Sequence, residues 1–103
     1  MSPILAAAIA AAEDLAWRPT YNMPGSVGYH ERRESHQRLC ELLGRATALS
    51  ANASPQLRSL VAAMRRAAGC SFANRRGAPY YERRQAIKEL RGCLDEWKRS
   101  VAA

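Results

Sequence analysis

Large apolar side chains are scarce in this chain of 103 residues. Leu, Ile, Val and Phe together number 17, and Phe72 is the only phenylalanine. That is below the roughly one-fifth at which a highly charged chain starts to look disordered. Twenty alanines argue the other way, because Ala is the best helix former. Ordered helices with thin apolar stripes are the expected result. A thin core also favours self-association, since a homo-oligomer would bury more apolar area.

Other absences exclude whole classes of chemistry. No segment alternates apolar and polar residues as a half-buried strand requires. No Gly-rich phosphate loop is present. The three cysteines, Cys40, Cys70 and Cys93, are odd in number and lack CxxC spacing. They argue against a disulfide framework and fit a reducing compartment. His36 and Cys40 share one helix face four residues apart. His30, Cys70 and Cys93 add further ligand atoms, yet the spacings that mark structural zinc are missing, so no metal or cofactor is expected. A Cys–His nucleophilic pair lacks an orienting third group. Glu13-Asp14 and Asp95-Glu96 are chain neighbours that point about 100° apart on a helix, so neither is an acid/base pair. With no catalytic residues to name, the expectation is a non-enzymatic protein.

The nine-residue apolar run Ile4–Ala12 has no basic residue before it, unlike a secretory signal. It is also too short to span a bilayer. It reads as a buried helix in the middle of the fold or in a subunit interface. The expected location is cytoplasmic, without membrane contact. Asn52-Ala53-Ser54 matches the glycosylation sequon, but nothing else in the chain suggests secretion.

The elements that are present are helical. The expectation is an all-α compact bundle of about four helices in a single domain over residues 1–103. The helices fall at about 3–17, 29–50, 55–68 and 79–101, with one long loop in the N-terminal half, Arg18–Gly28. Ser2-Pro3 and Ser54-Pro55 are N-cap and N1 pairs, and Gly69 is a natural stop. Leu39, Leu42, Leu43, Ala46 and Leu49 form one apolar face, and Leu57, Leu60, Val61, Met64 and Ala68 form another. Tyr80, Ile87, Leu94 and Val101 repeat every seven residues, with Leu90 and Trp97 three residues after Ile87 and Leu94. Gly92 weakens this last helix unless something approaches it closely. Glu34 with Arg38, Glu41 with Arg45, and Asp95 with Arg91 and Arg99 are spaced for ion pairs.

Charge points to a partner. The net charge is +7, and 14 of the 16 basic residues are Arg. Arg is the side chain suited to bidentate phosphate or carboxylate contacts, although a GC-rich genome gives the same bias. Residues 1–50 are neutral overall, whereas residues 51–84 carry seven Arg and one acid, Glu82. Three dibasic pairs lie there: Arg65-Arg66, Arg75-Arg76 and Arg83-Arg84. Phe72, Tyr80 and Tyr81 flank the middle pair. Arg interleaved with aromatic rings suits polyanion binding, while Phe72 and Tyr80 are equally readable as core. The candidate contact residues are Arg58, Arg65, Arg66, Arg75, Arg76, Tyr81, Arg83 and Arg84. A helix-turn-helix with Gln56, Arg58 and Ser59 as readers fits poorly, because the preceding helix is too long. The expected function is an accessory or regulatory protein that contacts nucleic acid or a nucleoprotein. The alternative is a small inhibitor or adaptor, of the type mobile elements and phages encode, that grips an acidic protein surface on a host enzyme or nucleoprotein machine.

Overall fold

Serine and proline open the first and third helices as their sequence suggests. The Ser2 hydroxyl accepts the Leu5 N–H at 3.1 Å, and the Ser54 hydroxyl accepts the Leu57 N–H at 3.2 Å. The computed structural model describes residues 2–17, 27–46, 49, 51–70 and 78–102, without the side chains of 27–32 and 78–80. The described residues contain four helices: α1 (Pro3–Trp17), α2 (Val27–Arg45), α3 (Pro55–Gly69) and α4 (Ala78–Ala102). No strand occurs among them. No helix among them is long and apolar enough to cross a membrane.

The fold is an all-α compact bundle. α1 packs on α2 and α4, and α3 packs on α4 and α2, so each helix has two main neighbours. α1 and α4 are antiparallel. Arg91 Nε donates to the Ala16 carbonyl, while Lys98 pairs with Glu13 at 2.7 Å. The core gathers Leu5, Ile9 and Leu15 of α1, Leu39 and Leu43 of α2, Leu60 and Met64 of α3, and Leu90 and Leu94 of α4. Alanines at 8, 11, 12, 16, 63, 67 and 86 fill the spaces between them.

The helices differ in length, and that shapes the molecule. The bundle measures 41 × 23 × 23 Å. At a rise of about 1.5 Å per residue, α4 spans ~37 Å and α1 only ~22 Å. Since Ala16 sits beside Arg91, the part of α4 before Arg91 runs on past the end of α1. The first half of α2 and the end of α3 accompany it.

Several expectations change. The long loop over Arg18–Gly28 is not confirmed: a helix starts at Pro3, Val27 and Gly28 already belong to α2, and residues 18–26 lie outside the described residues. α2 ends at Arg45 rather than near Ser50. Gly44 in its last turn weakens helix propagation there. Gly69 is the last helical residue and has no left-handed φ. The Cys70 N–H closes the turn by bonding the Ala67 carbonyl at 3.3 Å. α1 is buried on the sides that face α2 and α4, as expected of its apolar run, while Ala6, Ala7 and Ala10 face outward. Methyl groups are small enough to be exposed at little cost. Val101 is 60% exposed, because a strict seven-residue repeat drifts about 20° per heptad on a straight helix and α4's core contacts end at Trp97. Gly92 is exposed with nothing within 4 Å of an added Cβ, so no helix approaches it among the described residues.

Candidate functional site

The candidate residues fall into two groups. Arg65 and Arg66 lie in the last turns of α3, and Arg83 and Arg84 in the second turn of α4. All four lie toward the joined ends of α3 and α4: Arg66 is level with Glu89, near where α1 ends, and Arg83 stands about 9 Å farther along α4. Tyr81 stands on the same part of α4 and is 65% exposed. Arg75 and Arg76 belong to the segment joining the two helices and lie outside the described residues, as do Phe72 and the Tyr80 side chain.

Arg58 is elsewhere. Its Nε donates to the Ala53 carbonyl at 3.2 Å and its Nη2 to the Ala51 carbonyl at 3.1 Å. It thereby holds the turn that enters α3, about 10 Å along the helix from Arg65.

The four arginines differ in how they are held. Arg66 Nε pairs with Glu89 at 2.9 Å across the hairpin, and both side chains are largely exposed. Arg65 and Arg84 are exposed, and among the described residues neither has an ion-pair partner. Arg83 is half-buried. It occupies the place seven residues before Leu90, so it continues the buried seam of α4 with a cation instead of a leucine. That position was readable from the heptad spacing.

Opposite Arg83 the interior is polar. Ser35 is 3% exposed and is the one buried polar residue among the described residues. His36 faces the backbone carbonyls of Ala67, Ala68 and Cys70 at the open end of α3. The Ala67 and Ala68 carbonyls are among the last four of α3, which lack an i+4 partner within the helix, and that of Ala67 also accepts the Cys70 N–H. Burial holds His36 below its ordinary pKa, against the carbonyls, which favour the protonated ring; the nearby Arg83 charge works in the same direction as burial. Cys40 Sγ lies 3.9 Å from the His36 ring and donates to the Ala68 carbonyl at 3.3 Å, and Cys70 Sγ donates to the Arg66 carbonyl at 3.2 Å. Burial pushes the pKa of all three thiols up, which works against their ionisation. Among the described residues no three His, Cys, Asp or Glu side chains are grouped to hold a metal ion.

One exposed aromatic escaped sequence reasoning. Trp17 ends α1 and is 49% exposed. The Arg91 guanidinium lies 5.6 Å from its ring centroid and the Lys98 ammonium 5.7 Å. Those partners are more than seventy residues away in the chain, so no local pattern announces the cluster. Ion pairing also departs from the local spacings. Arg38 turns to Asp14 at 3.9 Å rather than to Glu34, and Arg91 turns to the end of α1 rather than to Asp95.

No protein-family model, curated protein or solved structure matches this chain.

Proposed function

We propose that this protein is a non-enzymatic accessory or regulatory factor that contacts nucleic acid or a nucleoprotein through the basic end of its α3/α4 hairpin. The carrying observation is the placement of Arg65, Arg66, Arg83 and Arg84 at one end, on either side of the segment that contains Arg75 and Arg76. Arg forks suit phosphate oxygens, and exposed Arg65 and Arg84 have no ion pair to break among the described residues. Tyr81 adds an aromatic face beside them.

Binding of single- and double-stranded DNA and RNA over a salt series tests this reading. Log affinity should fall linearly with log salt, with a slope of about −0.9 per phosphate neutralised on a duplex. Absence of binding to every nucleic acid at low salt overturns it. So does a pull-down that recovers one specific protein, resistant to nuclease and not displaced by oligonucleotide.

A further inference from the structure

α4 carries two heptad stripes side by side. The first is the buried seam through Arg83, Ile87, Leu90, Leu94 and Trp97. The second is shifted by one residue: Tyr81, Arg84, Lys88, Arg91, Asp95 and Lys98 recur at the same alternating spacing of three and four. Residues so spaced share a face of the helix. All of this second stripe is exposed except half-buried Arg91. Tyr81 to Arg91 covers about 15 Å of helix, and Trp17 lies against the stripe at Arg91 and Lys98.

We propose that this stripe is the track of a single-stranded nucleic acid, with phosphates on Arg84, Lys88 and Arg91 and unpaired bases stacked on Tyr81 and Trp17. The proposal rests on the nucleic-acid reading above and specifies its ligand. An exposed aromatic at each end of a row of cations is the arrangement that holds single strands, whose bases have free faces. A duplex keeps its bases stacked inside and offers such rings nothing to meet. The chemistry along the stripe sets the limits of the track. Lys98 is neutralised by Glu13, and Asp95 repels a phosphate. Phosphate contacts therefore stop at Arg91, and there the chain meets Trp17. Arg91 uses Nε on the Ala16 carbonyl, which leaves both Nη nitrogens for a phosphate.

The test compares a short oligothymidylate with a duplex of the same length, by fluorescence anisotropy at several salt concentrations. The single strand should bind more tightly. Trp17→Ala and Tyr81→Ala should each weaken it by roughly tenfold or more, Trp17→Ala should leave duplex binding unchanged, and Trp17→Phe should retain most of the affinity. Trp17→Leu keeps apolar bulk without a flat ring, and it carries the comparison if Trp17→Ala melts early. In a Trp97→Phe background Trp17 is the sole tryptophan, and oligothymidylate should quench its emission. Equal affinity for both ligands, with no quenching and no effect at Trp17, overturns the track but leaves the basic-end reading standing. Failure of both ligands to bind at low salt removes both.

Discussion

The bundle has two unlike halves, divided where α1 ends. Behind that level four helices pack, and there or at the boundary lie the six largest fully buried side chains: Leu15, Leu39, Leu60, Met64, Leu90 and Leu94. Beyond it α2, α3 and α4 continue without α1, and the interior holds Ser35 and half-buried His36, Arg83 and Ile87 beside alanines. Their surfaces differ as well. With the boundary pair Arg38–Asp14 set aside, the far half has six basic and three acidic described side chains, and the α1 half five and four. The first half is built to be stable. The second has less apolar burial and a larger net positive charge.

The largest test of this division uses one face of one helix. Leu94→Ala should cost about 3 kcal/mol of folding stability, through lost burial and a cavity. Arg83→Met, on the same seam in the far half, should stay within about 1 kcal/mol of the parent, since a flexible apolar chain replaces a cation's stem. Chemical denaturation measures both, and equal losses would erase the division. Next, the double substitution Arg65→Ala with Arg84→Ala should weaken nucleic-acid binding by about tenfold at low salt. It should leave stability within about 0.5 kcal/mol. Anisotropy and thermal melting read the two effects separately.

Gly92→Ala should stabilise the fold by about 1 kcal/mol, because the site is exposed, helical and open. A loss instead would mean that something approaches Gly92 in solution. Breaking the exposed Arg66–Glu89 pair with Glu89→Gln should change stability by no more than about 0.5 kcal/mol. The smallest effect belongs to pH. His36 has a lowered pKa in the folded state, so the unfolded chain takes up its proton first as pH falls. Its contribution is complete above the ordinary value of about 6.5, and it is lost as pH drops through that value toward the folded one. Melting temperatures from pH 8 to 5 should show this slope, and His36→Gln should flatten it.

Much of the α1 half was legible in the sequence. Ser2-Pro3 and Ser54-Pro55 mark helix starts through local hydrogen bonds, and the Leu spacings of α3 and α4 mark their buried faces. The far half was less so. Arg83 stands at a seam position, but an Arg within a dibasic pair reads as surface until the partner helices are in place. Arg58 looked like part of the basic cluster because it is near in sequence, while its bonds to Ala51 and Ala53 put it at the other end. Trp17 depends on Arg91 and Lys98, and such long-range pairings leave no periodic trace.

The meeting of α1 with α4 also bears on how the molecule is made. The bond from Arg91 to Ala16 joins residues 75 positions apart. During synthesis α1, with its apolar run and few polar residues, emerges before α2 and α3, and the helix that covers one of its sides emerges after them. The hairpins α1/α2 and α3/α4 are local and can form as they appear. Closure of the ring waits for the final turns of α4. Until then one flank of α1 stays uncovered, and a nascent chain stalled before Arg91 would present it to chaperones or to other chains.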